Sequence, residues 1–277
     1  MDTEVGGSVA DETGYDQSAS EGTGPMGTDD EYTAPEGSSP SGNHVYCDPL
    51  ERRAQLPGPH QCERGPQFVE SKHHGRSFRI FKYEASHPLA TRGLAFPCAD
   101  YGPRPSGFSS PTGPAEACSR RGVRPWFNVG ADEAATACRE AGWRLCTPGE
   151  LSRACRGASQ KLYTYGNHFD EDACNVREGY PLDDGAAPSE SPAGHYQRCV
   201  SAEGGYDLTG NLWEWAASRH DDGDRRRTVY QGGGWHHVEG YARSSDLRCA
   251  KRFKAPQVSD GPYAAPWVGF RCCQDLD

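Results

Sequence analysis

The chain has 277 residues and a net charge of −10, from 39 Asp and Glu against 29 Lys and Arg, with 12 cysteines but only 2 methionines. That length allows one large domain or two small ones. No run of about 18 apolar residues occurs, so no segment reads as a membrane-spanning helix.

Residues 1–43 hold ten of the acids and no Lys, Arg or Cys, so they account for the whole net charge. A segment of Gly, Ser, Thr, Pro and acids cannot bury enough apolar surface to offset its ordering entropy, and reads as a disordered acidic tether. Met1-Asp2-Thr3-Glu4 has neither the basic nor the apolar region of a signal peptide. A tether of this kind suits lipid or surface anchoring, as in a trimmed lipoprotein. The remaining 29 acids balance 29 bases, and a neutral body without basic stripes argues against a nucleic-acid partner.

Residues 44–277 read as one domain whose first part, 44–125, is loop-rich. Its clearest element is Phe78-Arg79-Ile80-Phe81-Lys82-Tyr83, in which Phe78 and Ile80 share one face of a strand. Cys47, Cys62, Cys98 and Cys118 hold the surrounding loops. The full set of 12 cysteines lies between Cys47 and Cys273 without paired CxxC spacing, so zinc ribbons are excluded. An even, dispersed set is the habit of extracytoplasmic proteins.

Two helices follow. Ala131, Ala134, Ala135, Cys138 and Ala141 recur at helical spacing, and Gly142 stands where a helix stops. Thr147-Pro148-Gly149-Glu150 places Thr at the N-cap, Pro at the first turn and Glu three residues on, a capping box. Leu151, Ala154 and Cys155 then face inward and Gly157 ends the helix. From 158 to 277 no helix is evident, and Asp221-Asp222-Gly223-Asp224 reads as a loop or hairpin tip. The fold class is α+β.

Three motifs carry the most information: Asp207-Leu208-Thr209-Gly210-Asn211-Leu212-Trp213-Glu214-Trp215, Gly232-Gly233-Gly234-Trp235 and Gly269-Phe270-Arg271-Cys272. Ala137 to Leu145, Gly166-Asn167 and Cys174-Asn175 precede them in a consistent order. In this combination the chain resembles the formylglycine-generating enzyme family, also called sulfatase-modifying factors, over 126–273 and more weakly back to Phe78. The resemblance implies a variant of the C-type lectin fold, with twisted antiparallel strands, two helices and long loops held by disulfides and calcium.

It also implies two disulfides, Cys138–Cys272 and Cys155–Cys249. Nearest-neighbour pairing adds Cys174–Cys199, Cys47–Cys62 and Cys98–Cys118, leaving Cys146 for Cys273. Since adjacent strand residues point to opposite faces, Cys272 and Cys273 should reach different regions.

Enzymes of the family use two cysteines of their own to bind copper and activate oxygen, a soft thiolate pair suiting Cu(I). The positions that match those thiols here are His237 and Ala242, so copper is not expected and neither is cysteine-to-formylglycine oxidation. The family's calcium ligands match Asp207 and Glu214 through side chains and Gly210 and Leu212 through carbonyls. A second set would match Asn175, Val176, Asp184 and Ala186. The alternative for Glu214 is a buried ion pair with an arginine such as Arg243 or Arg248. His236 and His237 with His73 and His74 suggest another metal site, but neighbouring strand histidines diverge, and surface hydrogen bonding is the plainer reading.

Core packing is the default for Trp213, Trp215, Trp235 and Trp267. The family's Gly-Gly-aromatic strand also lines its substrate groove, which singles out Trp235, with His237, as a ligand contact. No nucleophile elbow, phosphate loop, His-Glu-x-x-His or four-histidine iron module is present. The expectation is an extracytoplasmic, disulfide-rich, calcium-stabilised domain that binds a protein, peptide or small molecule as an accessory module. The rival is an oxidoreductase or maturation enzyme of altered chemistry using the same groove.

Overall fold

The computed structural model describes residues 61–93, 115–176, 190–217, 229–235, 244–254, 264–265 and 267–276, all within the unit Val45–Asp277. The expected tether and the Asp221–Asp224 tip lie outside them. In chain order the elements are β1 (Phe68–His73), β2 (Arg76–Phe81), β3 (Ala85–Ser86), β4 (Cys118–Ser119), α1 (Ala131–Glu140) and β5 (Arg144–Leu145). They continue with α2 (Pro148–Arg156), β6 (Trp213–Ala216), β7 (Val229–Gln231), β8 (Arg252–Lys254), β9 (Val268–Phe270) and β10 (Cys272–Leu276).

One sheet has the order β1-β2-β10-β5, and is antiparallel throughout. Its hairpin turns on His74 and Gly75, both at positive φ, which matches the twist of the flanking strands. Strand alternation then sorts the side chains. Phe78 and Ile80 pack with Leu151, Ala154 and Cys155 of α2, whereas Phe81 joins a second cluster with Ala134, Ala137 and Cys138 of α1.

Both helices follow from their sequence signals. Gly142 takes φ 75° beyond α1, and the small side chains Ala134, Ala137 and Cys138 are its buried ones. At α2 the Thr147 hydroxyl accepts from the Glu150 N–H at 3.3 Å, and Glu150 accepts from the Thr147 N–H at 2.8 Å. The Arg144 guanidinium clasps the same carboxylate at 2.6 and 2.8 Å and also holds Asp275 of β10.

The second sheet has the order β8-β7-β6-β9. It departs from the antiparallel expectation in one pair: β6 and β9 run parallel, with Glu214 opposite Gly269. A parallel pair needs a long crossover, and here most of the chain between Ala216 and Val268 separates the two strands. Among the described residues after Gly157 there is no helix, and no described helix is long and apolar enough to cross a membrane.

Five disulfides link described residues. Cys272 faces α1 and bonds Cys138, while Cys273 faces the other way and bonds Cys146. Cys155 of α2 reaches Cys249, and Cys174 pairs with Cys199. Bridges of this kind typically contribute about 2–4 kcal/mol each. The expected Cys47–Cys62 and Cys98–Cys118 pairs are corrected: Cys62 bonds Cys118 across 56 residues. Strand pairing overrides proximity in sequence, since Gln67 N–H donates to Ser119 O and Lys82 N–H to Gln67 O. The Cys62 N–H itself donates to Glu116 at 2.9 Å. Cys47 and Cys98 lie outside the described residues.

Candidate ligand groove and buried charge centre

The segment from Asp207 to Trp215 turns sharply before it becomes β6. Asp207, Gly210 and Asn211 all have positive φ, at 58°, 78° and 59°. Only glycine fits at 210, because a Cβ there would stand 2.6 Å from the Asn175 carbonyl oxygen. Asn211 is the hub of the turn. Its Oδ1 accepts from the Asn175 amide at 3.0 Å and from the Ser191 N–H at 2.7 Å, and its Nδ2 donates to Glu84. The second Glu84 oxygen accepts from the Leu212 N–H at 3.0 Å. Asn175 and Val176 therefore pack directly on the 207–214 segment; Asp184 and Ala186, the other members of their set, lie outside the described residues.

Below this turn three carboxylates surround one guanidinium. Glu84, Asp207 and Glu214 are 1%, 1% and 3% exposed, and Arg271 is fully buried. Glu214 Oε1 accepts from Arg271 Nη2 at 2.8 Å and Nε at 3.0 Å. Arg271 also donates to the carbonyls of Phe81 and Tyr206. The alternative reading of Glu214, a buried ion pair with an arginine, is present, but the partner is Arg271 in place of Arg248, and Arg243 lies outside the described residues. The parallel register explains this, because Gly269 stands opposite Glu214 and Arg271, two residues on, projects toward the same side.

Burial raises all three acids. The Glu84 carboxyl is pushed well above its usual range by burial and by the neighbouring Asp207 and Glu214 charges. Asp207 rises to about 7 through burial, against the opposing pull of the Gly194 N–H and Arg271. Glu214 is raised by burial and held back by Arg271. Sequence reasoning singled out Asp207 and Glu214 but missed Glu84 and the Asn211 hub. A lone carboxylate in Phe81-Lys82-Tyr83-Glu84-Ala85, between apolar neighbours, was the available signal.

With all three acids ionised, one arginine would leave two negative charges in a dry interior, and burial opposes that state by raising each carboxyl. The donors are thinner than the charge. Asp207 and Glu214 with the carbonyls of Gly210 and Leu212 supply four oxygen donors, against the six to eight that calcium takes. Among the described residues no three His, Cys, Asp or Glu side chains converge as metal ligands.

Trp235 closes the upper side of the turn. Its backbone N–H donates to the Asn211 carbonyl at 2.9 Å, and its half-buried indole packs on Phe127 and Leu212. Trp213 and Trp215 are core residues, 2% and 1% exposed. Trp215 Nε1 donates to Val129 O at 2.7 Å, and Trp213 meets Tyr230 and Phe253 edge-on. Trp267 is half-buried against the same core. His236, His237 and Ala242 lie outside the described residues. The His73 and His74 rings meet at 4.1 Å with their planes tilted by 58°, on the β1–β2 hairpin.

The sulfatase-modifying factor enzyme 1-like domain profile matches residues 59–276, and the chain belongs to that family. It is 28% identical over 217 residues to inactive C-alpha-formylglycine-generating enzyme 2 of Mus musculus, covering 74% of this chain and 67% of that protein. The Bos taurus protein of the same name is 29% identical over 170 residues, with 60% of this chain and 55% of the relative covered. Formylglycine-generating enzyme of Thermomonospora curvata is 28% identical over 202 residues, 61% of each chain. The matched segments thus span only about half to two thirds of these relatives. Among solved structures, PvdO from Pseudomonas aeruginosa aligns with TM-score 0.47 and 17% identity over 76% of this chain and 92% of that one. CarF aligns with TM-score 0.48 and 16% identity, over 76% and 99%.

Proposed function

We propose that this protein is an extracytoplasmic, non-generating member of the family, a binding or accessory module that uses the groove at Trp235. The observation that carries this reading is chemical. The positions matching the family's paired thiols are His237 and Ala242, and every cysteine among the described residues is held in a disulfide. Imidazole and a methyl group cannot replace a Cu(I) dithiolate. The names of the mouse and bovine relatives point the same way. Ten disulfide-bonded cysteines support an oxidising compartment. Trp235, half-open beside Phe127 and Leu212, offers the aromatic contact on which a peptide or small-molecule ligand would rest.

Calcium belongs to the same reading as a structural ion. Asp207 and Glu214, with the carbonyls of Gly210 and Leu212, would hold it, and its charge would balance the buried acids. The generating activity is tested directly by incubating the protein with copper, oxygen and a peptide carrying the sulfatase motif. Mass spectrometry should find the peptide cysteine intact; replacement of the thiol by an aldehyde would refute the reading. Transition metal retained by the purified protein, lost on replacing His237, would favour the rival enzyme of altered chemistry.

A further inference from the structure

Away from Trp235, a second cluster gathers two cations around a pair of stacked tyrosines. Tyr83 and Tyr206 lie ring on ring, with centroids 5.3 Å apart and planes 24° from parallel. Lys82 Nζ is 5.8 Å from one centroid and 5.9 Å from the other. Those three distances form a nearly equilateral triangle, so the ammonium sits beside the stack, midway between the rings. Arg121 Cζ is 5.8 Å from the Tyr206 centroid. The Arg121 stem runs past Gly194, where a Cβ would meet Arg121 Cγ at 3.3 Å and Tyr83 Cε1 at 2.6 Å.

Three features set this cluster apart from ordinary surface charge. Among the described residues neither Lys82 nor Arg121 has a carboxylate partner, whereas seven other Lys and Arg residues form ion pairs. Tyr83 is 3% exposed, and among the described residues its hydrogen bonds run through the backbone, with none to its hydroxyl. Burial pushes that hydroxyl's titration upward, so it remains a donor at neutral pH. The frame is also fixed. Tyr206 N–H donates to the Lys82 carbonyl at 2.9 Å, and Arg271 donates to the Tyr206 carbonyl at 2.8 Å. The carboxylate that acts on Tyr83, Asp207, is committed to the Gly194 N–H at 2.6 Å.

Two unpaired cations and an unused hydroxyl call for a ligand that accepts several hydrogen bonds and carries more than one negative charge. We propose that Lys82, Arg121 and the Tyr83 hydroxyl form a binding site for a tetrahedral oxyanion, the phosphate or sulfate group of a ligand. A carboxylate brings one charge and two oxygens, and matches this donor set less well.

The intact protein should be titrated with sodium sulfate, sodium phosphate and sodium acetate at constant ionic strength, with binding read by calorimetry. Methyl phosphate then separates monoester from free ion. Saturable binding of sulfate or phosphate is expected, with acetate much weaker. Lys82→Met and Arg121→Met should each weaken binding about tenfold, as loss of a charge-assisted contact does. Tyr83→Phe should weaken it several-fold with the melting temperature unchanged, while Lys72→Met, on the exposed β1 edge, should leave it intact. Methyl phosphate binding should strengthen as its second proton leaves at about pH 6, and sulfate binding should not. No saturable binding, equal affinity for acetate, or equal losses in Lys72→Met and Arg121→Met would overturn the proposal.

Discussion

Arg144 and Arg271 each gather carboxylates, and they do so to opposite effect. Arg144 lies at the edge of the first sheet, its side chain 35% exposed, between Glu150 and Asp275. Burial alone would raise Glu150, but hydrogen bonds from Arg144 and from the Thr147 cap hold its carboxyl below the usual value. Asp275 is lowered chiefly by its hydrogen bond from Arg144. Arg271 is fully buried among three acids, and there desolvation wins: all three are raised. The same guanidinium–carboxylate chemistry therefore anchors charge at the rim and strains it in the interior. What decides is the ratio of acids to bases together with access to water.

Removing each arginine should break the comparison most sharply. Arg271→Met leaves Glu214 buried without its partner and releases the carbonyls of Phe81 and Tyr206, so a loss of about 3–5 kcal/mol is expected by urea unfolding. Arg144→Met should cost only about 1–2 kcal/mol, because solvent screens that half-open pair. Equal losses would mean that burial does not set the difference.

Stability against pH should then separate the two clusters by sign, measured with chelator present. For the interior, the folded Asp207 value of about 7 stands above its ordinary 3.8. The folded state thus holds more protons between those values, and stability falls as pH rises from about 4 to about 7. For the rim, Glu150 and Asp275 lie below their ordinary 4.5 and 3.8. Their contribution is complete above those values and is lost as pH falls through the lowered ones. Stability should therefore peak at about pH 4 to 4.5, where the rim contribution is nearly complete and the interior penalty has barely begun. Asp207→Asn should flatten the upper limb and stabilise at pH 8 by about 2–4 kcal/mol, one pKa unit being about 1.4 kcal/mol. Glu150→Gln should flatten the acid limb alone.

Calcium sharpens the interior half of the comparison. Calcium at a hundredfold excess over its dissociation constant would add about 2.7 kcal/mol. Chelation should lower the melting temperature of the native chain and move that of Asp207→Asn less. An unmoved melting curve in the native chain would remove calcium from the proposal.

The local parts of this fold were legible in sequence, and the long-range parts were legible only where the family resemblance supplied them. Thr147, Pro148 and Glu150 announce α2 because a capping box is complete within four residues. The Cys272–Cys273 divergence follows from strand alternation. Pairing Cys62 with its sequence neighbour failed, because the contact depends on where residues 62–67 lie against β4. The Glu214 partner was missed for a related reason. Arg271 stood in a motif already singled out, but a parallel strand pair leaves no mark in either segment alone. Glu84 carried only a faint signal, a charge in an apolar run.

The disulfides at Cys272 and Cys273 have a topological consequence. They close onto Cys138 and Cys146, so the chain from Cys146 to Cys272 lies inside two covalent rings, and Cys155–Cys249 closes a third within them. A single proteolytic cut between Cys155 and Cys249 leaves the molecule in one piece until it is reduced. The loops in that span can be nicked, lengthened or rewritten while the flanking strands stay tethered. Recognition surfaces can thus diverge on a frame whose connectivity does not depend on them.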